Sequence, residues 1–450
     1  MSDTDTPAPA PPGPETRPDE DERAPDSFEA VATTVPGREL ALRVAAGGEF
    51  LDLASIGLDL SRKTIPGDVT FRRSFLRKAT FKRAKFQGSV LFKDCTLEDT
   101  DFFGAEFERG VTFEECEFRR PPRMGNITSK GPFVLRNSLV TGKVSFEKCT
   151  FGDRFDAWDT RFQGWLDLFD STWEREADLR SATCSEGLVF RRGSVRGSLL
   201  LRGTTVQKKF AIEGTEIGGC LDLSKAKLHD YSYLEDLKLG PSGTIRIWNS
   251  ILRALLLRPE QVAGRLASAR EGDWEVAAQE FGVLKTNYSA LNWFDEEDWA
   301  YYEFKRARWK ARAKKGEGGF AGRASRFFER VIFDWACGYG TMPMRVLAAS
   351  LLVIVGFAAL YCLPYLAHGV PSYDVSGPGA TLTPYRVTGV SAIDGILTAL
   401  VDSTSAFVSG FDGVDKNVEG WLAVALTLEG LAGMLLLGLF IVSFSRKVIR

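Results

Sequence analysis

One carboxylate stands inside an otherwise uncharged apolar run. Residues 421–444 form this run, and Glu429 is the only charged residue in it. A carboxylate inside a membrane span costs about 3 kcal/mol and normally marks function or a buried polar partner. We interpret Glu429 as an acceptor of hydrogen bonds from hydroxyl or N–H groups near Ser403 to Ser405. The alternative is a carboxylate that stays hydrated, because it lies only eight residues after Trp421.

The segment SAIDGILTALVDSTSAFVSGFDG (391–413) is the second candidate for chemistry. Its apolar residues predict one face of a helix of about three turns; they are Ile393, Ile396, Leu397, Leu400 and Val401. A stretch rich in Ser, Thr and Gly follows, where the backbone could become non-helical. Irregular backbone at membrane depth is tolerated only where it lines a water-filled passage, and its carbonyl oxygens there replace the hydration shell of an ion.

We therefore predict a re-entrant pore segment over about residues 391–412. The predicted pore and selectivity region comprises Ser403, Thr404, Ser405, Ala406, Phe407, Val408, Ser409, Gly410, Phe411 and Asp412. Glu429 and Asp402 are the predicted supports of this filter region. In a tetramer Asp394, Asp402 and Asp412 would form rings that attract cations. Asp402 could instead cap the pore helix, and Asp412 could be an ordinary loop residue.

Two apolar runs enclose this segment. Residues 346–366 carry no charge, and this run and residues 421–444 each reach about 30 Å as helices, which is the thickness of the hydrocarbon core. Basic residues flank both outer ends, namely Arg345, Arg446, Lys447 and Arg450. This distribution predicts a multi-pass protein of the plasma (inner) membrane with both termini in the cytoplasm. No signal peptide is visible in the sequence, which agrees with a cytoplasmic N-terminus.

The amino-acid composition argues against nucleic-acid binding, metal binding and catalysis. The chain has 450 residues and a net charge of −2, so no nucleic-acid partner is expected. Two histidines do not support a histidine-based metal site or catalytic machine. We expect no cofactor, no metal and no enzymatic activity. Seven cysteines without CxxC spacing predict free thiols in a reducing compartment.

A repeat fills the middle of the chain. Residues 130–228 fall into nine consecutive 11-residue units in which positions 4, 6 and 11 are mostly apolar. Leu166, Leu168 and Trp173 hold these positions in the fourth unit. This spacing does not fit a helix and predicts short extended segments joined by tight turns.

Upstream, the period shortens to five. Phe71, Leu76, Phe81 and Phe86 are five residues apart, and after one inserted residue the series continues from Phe92 to Phe118. Small or β-branched residues stand two positions before most of them: Ala79, Ala84, Cys95, Thr100, Ala105 and Cys116.

This pattern resembles pentapeptide-repeat proteins. The resemblance implies a right-handed quadrilateral β-solenoid with the large residues stacked inside the coil and the small ones, including the cysteines, beside them. We expect the solenoid over residues 36–257, after a disordered Pro- and acid-rich N-terminus (1–35). PPRMGNITS (121–129) breaks the register and is predicted to be a loop. Such a solenoid is expected to bind an unknown ligand or protein, or to act as a spacer.

Helical patterns follow the repeat. Residues 258–318 predict a helical hairpin connector, and its charged residues Glu275, Glu280, Lys285, Glu303 and Lys305 are interpreted as a solvated face. Residues 319–340 predict an amphipathic helix, which lies either at the bilayer surface or against the soluble domain. Gly338-Tyr339-Gly340 precedes the first span and is expected to end this helix rather than to act as an ion filter.

Residues 341–450 resemble the two-transmembrane pore domain of the potassium-channel superfamily. The order span, short helix, Ser/Thr-Gly turn and span carries the resemblance, together with WLAVALTLEGLAGMLLLGLFIVSFSRKVIR (421–450). The filter departs from TVGYGD, because VSGFDG (408–413) stands there. The resemblance implies a homotetramer in membrane lipid that passes ions, a monovalent cation among the candidates. Because of the altered filter, a weakly selective cation pore, a pore for a different ion and a non-conducting remnant all stay open. The alternative is a membrane-anchored pentapeptide-repeat scaffold without conduction.

Overall fold

The computed structural model describes residues 33–316, 319–368, 391–409 and 421–449. They fall into two compact units, Met1–Asp178 and Leu179–Arg450. Most of the predicted disordered N-terminus lies outside the described residues.

Unit 1 is built from short strands after one N-terminal helix. The helix is α1 (Gly37–Ala45), whose Leu40, Ala41 and Val44 are buried. The strands are β1 (Thr33–Thr34), β2 (Gly48–Leu51), β3 (Leu53–Ile56), β4 (Thr64–Ile65), β5 (Val69–Arg72), β6 (Phe75–Arg77), β7 (Lys85–Phe86), β8 (Val90–Lys93), β9 (Thr96–Glu98), β10 (Glu106–Phe107), β11 (Val111–Glu114), β12 (Glu117–Phe118), β13 (Thr128–Ser129), β14 (Phe133–Arg136), β15 (Leu139–Val140), β16 (Val144–Ser145), β17 (Thr150–Phe151), β18 (Phe155–Asp156), β19 (Arg161–Phe162), β20 (Trp165–Phe169), β21 (Thr172–Trp173) and β22 (Ala177–Asp178).

Unit 2 begins with strands of the same kind and continues into helices. The strands are β23 (Thr183–Cys184), β24 (Gly187–Arg191), β25 (Ser194–Val195), β26 (Leu199–Leu200), β27 (Thr205–Val206), β28 (Lys209–Glu213), β29 (Glu216–Ile217), β30 (Cys220–Asp222), β31 (Lys227–Tyr233), β32 (Lys238–Leu239), β33 (Thr244–Arg246) and β34 (Ile251–Leu256). The helices that follow directly are α2 (Pro259–Val262), α3 (Ala267–Glu271), α4 (Trp274–Ala290) and α5 (Phe294–Lys315).

The strands pair in parallel with the strand one coil further along the chain. Phe71 of β5 lies opposite Phe92 of β8, which is a step of 21 residues, and Phe133 of β14 lies opposite Phe155 of β18, which is a step of 22. One coil is therefore four five-residue segments plus one residue, or two 11-residue units. The two units together hold about ten turns of parallel β-solenoid, which confirms the predicted repeat fold.

The predicted core positions are buried. The phenylalanines stack face to face from coil to coil, with ring centroids 5.1 Å apart for Phe71 and Phe92 and 4.6 Å apart for Phe81 and Phe102. Cys95 and Cys116 occupy the small slot, and each thiol donates to a backbone carbonyl oxygen of a preceding coil. Burial raises the pKa of the Cys149 thiol to about 12. Packing therefore explains these cysteines, and all seven in the chain are free.

A left-handed residue recurs once in each 11-residue unit. It stands at position 8 in all nine units, from Asn137 through Asp159 and Asp170 to Lys225, with φ near +50° to +73°. Asn, Asp and Gly tolerate this conformation best, whereas Lys148, Ser181 and Arg192 adopt it at a steric cost. The turn that separates two sides of the coil thus fixes the 11-residue register.

The predicted loop at 121–129 belongs to the solenoid, so that prediction was wrong. Arg123 bridges to Asp101, and Glu106 and Phe107 pair with Thr128 and Ser129. Ser129 therefore occupies the slot of a large residue. Ile127, which is 1% exposed, fills the position one coil after Ala105. Large and small residues exchange places in this coil, so the coil keeps its packing while the sequence pattern disappears.

Side chains of α4 close the last coil of unit 2. Asn287 accepts from the Leu255 N–H and donates to the Leu255 carbonyl oxygen, both at 2.8 Å, and so replaces a neighbouring strand. Glu280 is fully buried, accepts from the Ile247 N–H at 2.9 Å and also bonds to the Ser268 hydroxyl. Burial raises the pKa of the Glu280 carboxyl. The interpretation of Glu280 as a solvated residue was wrong, because it caps an unpaired strand edge.

The amphipathic segment contacts α5 through its polar side. It comprises α6 (Gly319–Phe328), a π-helical stretch (Glu329–Ala336) and a 3₁₀ turn (Gly338–Gly340). Arg312 of α5 bonds to Glu329 at 2.7 and 2.8 Å, and the Tyr302 hydroxyl donates to Asp334 at 2.8 Å. The apolar residues Phe327, Phe328, Val331 and Trp335 are exposed, as a helix at a bilayer surface requires.

The Gly338-Tyr339-Gly340 sequence forms a left-handed break between two helices. All three residues have positive φ, at +55°, +54° and +81°. The π-helical stretch therefore ends here, as predicted, and the next helix starts at Pro343.

We predict that the stacked phenylalanines dominate the stability of the first coils. Phe102→Ala should lower the free energy of unfolding by about 3–5 kcal/mol, because it opens a cavity between stacked rings. Phe103→Ala is the matched control; this neighbour is only partly buried and should cost about 1 kcal/mol or less. Urea unfolding of the detergent-solubilised protein, followed by circular dichroism, measures both. Equal losses would contradict the stacking account.

We also predict that Asn287 is required at the end of the solenoid. Asn287→Leu leaves the buried N–H and carbonyl groups of Leu255 unpaired and should cost about 2–4 kcal/mol. Thr286→Ala, at the exposed neighbouring position, should change stability by less than about 0.5 kcal/mol. Hydrogen exchange at the Leu255 amide provides the local measurement. Retained protection of this amide in Asn287→Leu would refute the strand-replacement role.

Candidate functional site

Three helices form the C-terminal module: α7 (Pro343–His368), α8 (Ser391–Ser409) and α9 (Trp421–Val448). Within α7 and α9, Pro343–Cys362 and Ala423–Val448 are long and apolar enough to cross a membrane. Only a few residues of each stretch are buried, so most of this apolar surface is uncovered within the described part of the chain. The core helix of a soluble protein would be mostly covered.

Helix α8 runs beside α9 in the same direction. Ala399 and Ala425 belong to one buried cluster, and Ser403 bonds to Glu429. Further along, the Phe407 carbonyl oxygen lies so close to Gly433 that a Cβ atom there would be 2.0 Å from it. Each of these pairs is separated by 26 residues, and a constant separation requires two parallel helices.

Helix α7 runs in the opposite direction to α8. Tyr361 shares the buried cluster of Ala399, whereas Ile354 lies level with Ser403. The sequence order along α7 is therefore reversed relative to α8. Helices α8 and α9 are therefore parallel to each other, and α7 is antiparallel to both.

A polar node joins all three helices at the level of Glu429. The Tyr361 hydroxyl of α7 donates to Glu429 Oε2 at 2.5 Å, and the Ser403 hydroxyl of α8 bonds to Glu429 Oε1. Ser403 Oγ also lies 2.8 Å from the carbonyl oxygen of Ile354. We call Glu429, Ser403, Tyr361 and the Ile354 carbonyl the polar node.

The polar node is enclosed. Glu429 and Ser403 have no exposed surface, and Tyr361 is 4% exposed. An enclosed polar group is tolerated only when it is hydrogen-bonded, and each side chain of the node has a partner on another helix. The alternative prediction of a hydrated Glu429 is therefore wrong, because α7 and α8 cover its side chain and leave no exposed surface.

The other predicted site residues divide into buried and exposed positions along α8. Ala406 and Phe407 are buried, and Thr404, Ser405, Val408 and Ser409 are exposed. Asp402 is half-buried and makes no hydrogen bond or ion pair with any described residue, so it is not part of the polar node. Gly410, Phe411 and Asp412 lie outside the described residues.

Residues 403–409 are helical, which differs from the expected non-helical backbone. The hydroxyl groups explain part of this: Thr404 bonds to the Leu400 carbonyl oxygen at 2.7 Å, and Ser409 to that of Ser405 at 2.5 Å. Ser and Thr satisfy themselves inside a helix in this way, so a Ser/Thr-rich stretch need not unwind. The carbonyl groups up to residue 405 are used within the helix, and the residues that follow Ser409 lie outside the described residues.

One face of α8 is covered by neither α7 nor α9. It lines a surface groove of about 450 Å³ formed by Leu400, Val401, Thr404, Ser405, Val408 and Ser409. The groove combines apolar side chains with three hydroxyl groups. Among the described residues, no cluster of His, Cys, Asp and Glu has the composition of a metal site.

Sequence reasoning missed two members of the polar node. Tyr361 is a hydroxyl-bearing residue within an uncharged run, and that was the available signal. The Ile354 carbonyl had no signal, because any residue supplies that atom. The close approach of Gly433 to the backbone of Phe407 was missed as well.

Comparison with known families gives one match. Residues 67–117 match the family model described as Pentapeptide repeats (9 copies). Neither the curated proteins nor the solved structures include a match to this chain. The matched residues span β5 to β12, where the five-residue period and the stacked phenylalanines occur. The chain therefore carries a pentapeptide-repeat β-solenoid, followed by helices that include two apolar ones.

Proposed function

We propose that the protein is a passive ion channel of the plasma (inner) membrane that conducts cations, with its pentapeptide-repeat domain as a cytosolic assembly or sensing module. The single observation that supports this most is the parallel run of α8 and α9 through Ser403–Glu429 and Phe407–Gly433. In this proposal the solenoid is the right-handed quadrilateral form of the family. Both termini are cytoplasmic.

The parallel arrangement favours a re-entrant path. With the offset of 26 residues, Ser409 lies level with Leu435, fourteen residues beyond Trp421 on α9, or about 21 Å at a rise of about 1.5 Å per residue. Trp421 begins α9 at the opposite end, so Ser409 and Trp421, the described residues on either side of the gap, are separated by about this distance along the helices. A segment that enters and leaves a membrane from the same side is how two-span channels build a pore.

The C-terminal end of α8 is suited to a cation. The C-terminal end of α8 carries the negative end of the helix dipole, equivalent to about half an elementary charge. In a tetramer four such ends would converge, and the exposed hydroxyl face of α8 would contact the axis or a neighbouring subunit. Asp402 and Asp412 would add to the attraction for cations.

The second candidate is a membrane-anchored scaffold without conduction. The helical state of residues 403–409 favours it, because helical carbonyl groups up to residue 405 do not coordinate ions. In that case the polar node would only hold α7, α8 and α9 together. A monomer with α8 facing lipid is expected for the scaffold, and a four-fold assembly for the channel.

An anchor at the end of α9 supports a sensing role for the solenoid. Arg446 pairs with Asp298 of α5 at 2.9 Å and stacks on the Tyr301 ring at 4.4 Å. Lys447 pairs with Asp295 at 3.3 Å. Because α4 closes the last coil through Asn287 and packs on α5, a contact chain connects the solenoid coils of unit 2 with the second apolar helix.

We predict ion flux from liposomes that contain the purified protein. Glu429→Ala and Gly410→Ala should lower the flux by more than about tenfold, equivalent to about 1.4 kcal/mol, because each removes support from the pore segment. Leu428→Ala is the matched control; this neighbour of Glu429 is 55% exposed and should not change the flux.

Well-folded oligomers that pass no ion under any gradient or membrane potential would favour the scaffold. The tested gradients include potassium and sodium.

We further predict that the two ion pairs at the end of α9 differ in strength. Asp298→Asn should destabilise the module by about 2–3 kcal/mol, because Asp298 is 8% exposed and its partner Arg446 is 23% exposed. Asp295→Asn should cost less than about 0.5 kcal/mol, because the Asp295 side chain is 89% exposed. Thermal unfolding in detergent measures both. Equal effects would argue against a buried anchor.

A further inference from the structure

The hydroxyl group of Ser403 faces two acceptors but has one hydrogen. Its oxygen lies within hydrogen-bond distance of Glu429 Oε1 and of the Ile354 carbonyl oxygen. A hydroxyl group donates once and accepts through its lone pairs. The Ile354 carbonyl has no hydrogen, so the Ser403 hydrogen is the only one available for the 2.8 Å contact between them.

If Glu429 were ionised, there would be too few hydrogen atoms for the two contacts of Ser403. A carboxylate has no hydrogen, so the Ser403 hydrogen would have to serve both contacts of Ser403. One pair of oxygen atoms would then face each other through lone pairs alone, at a distance that only a hydrogen bond supports.

We propose that Glu429 is held as the neutral carboxylic acid and donates its hydrogen to Ser403. Ser403 in turn donates to the Ile354 carbonyl oxygen, and Tyr361 donates to Glu429 Oε2. Every polar atom of the node then has a partner of the opposite kind. The hydrogen bonds run in one direction, from α9 to α8 to α7, and a second bond returns from α7 to α9.

The charges around the node agree with a neutral acid. On α9, Glu429 is the only charged residue before Arg446, which is seventeen residues and about 25 Å away along the helix. On α7, the titratable groups are Tyr361, Cys362, Tyr365 and His368, and Arg345 stands sixteen residues before Tyr361. The side chains of Tyr365 and His368 lie outside the described part of the chain. On α8, Asp402 is next to Ser403 in sequence and would repel an anion. A buried carboxylate needs a cation, and among the described side chains no hydrogen bond or ion pair joins Glu429 to one.

The neutral acid makes the polar node a proton-dependent clasp between the three helices. Loss of the proton removes the donor to Ser403 and leaves a charge that two hydroxyl groups alone must stabilise. Helix α8 would then lose its bond to α9 or to Ile354. The protonation state does not depend on conduction; only its effect on ion flux rests on the proposed function.

Glutamine reproduces the neutral acid. Its amide N–H donates to Ser403 and its carbonyl oxygen accepts from Tyr361, so Glu429→Gln keeps every bond of the node. An ionised carboxylate accepts from both partners, and glutamine would not replace it.

Infrared spectroscopy of the full-length protein in lipid nanodiscs tests the proposal directly. At neutral pH the wild-type spectrum should contain the C=O stretching band of a protonated carboxylic acid, and the difference spectrum against Glu429→Gln should contain this band. Asp402→Asn is the control and should leave the Glu429 band in place. In Ser403→Ala the band should persist but shift, because the acid loses its acceptor.

The absence of this band from the difference between wild type and Glu429→Gln would overturn the proposal. If Glu429→Gln fails to fold, a wild-type spectrum that does not change in the acid C=O region on Ser403→Ala substitution would overturn it equally. Thermal unfolding adds a second measurement: Glu429→Gln should unfold within a few degrees of wild type, and Glu429→Leu at a clearly lower temperature. A larger loss for Gln than for Leu would contradict the neutral acid.

Flux separates this inference from the proposed function. If the protein conducts, wild-type flux should fall as the pH is raised, and flux through Glu429→Gln should lose that dependence. If it does not conduct, the infrared band is still expected, so a failure of the proposed function and a failure of the neutral acid give different results.

Discussion

The C-terminal module of α7, α8 and α9 depends on a single constraint: a polar side chain enclosed by apolar helices must find all its hydrogen-bond partners among them. Glu429 meets this constraint by contacting one helix through Ser403 and another through Tyr361. Apolar packing alone does not fix the axial offset between two neighbouring helices well. A carboxyl group that must reach a specific partner on each neighbouring helix fixes this offset, and the separation of 26 residues between paired positions of α8 and α9 follows from it. The contact of Phe407 with Gly433, one turn further, requires the same offset.

The solenoid satisfies its own constraint by repetition. Within each unit the strands pair with those of the next coil, so the backbone groups are satisfied from coil to coil, and the terminal coils require special residues. At the N-terminal end α1 packs its apolar side onto the first coil. At the other end Asn287 and Glu280 supply the bonds that a further strand would make. The two ends therefore use different chemistry, apolar cover at one and side-chain hydrogen bonds at the other.

Much of this architecture could be predicted from the sequence, because it repeats. The five-residue and 11-residue periods identify the solenoid, and the buried positions from Phe71 to Phe118 lie where the periods place them. The pattern failed where two changes compensate, as for Ile127 and Ser129, since a period detects each position separately and not the total volume of a coil. It also failed for Glu280, because a charged residue on a helix is usually solvated and only the unpaired strand edge makes this one an exception.

The candidate site was predictable only in part, for related reasons. A lone carboxylate in an apolar run signals that a partner exists, and the prediction of Ser403 to Ser405 as the partner region includes the observed Ser403. Tyr361 lies 68 residues away in sequence, and no local pattern links it to Glu429. The helical state of residues 403–409 was missed, because Ser and Thr favour turns and caps on average but can also bond to their own helix.

The length of the coil has a consequence for how such a chain changes over generations. In the later coils, one circuit takes two 11-residue units. The gain or loss of a single unit would carry the chain only halfway round the circuit, and the segment that follows would leave from the far side. Duplications and deletions that preserve the exit position must therefore come in pairs of units, so natural variants of this architecture should differ in height by whole circuits.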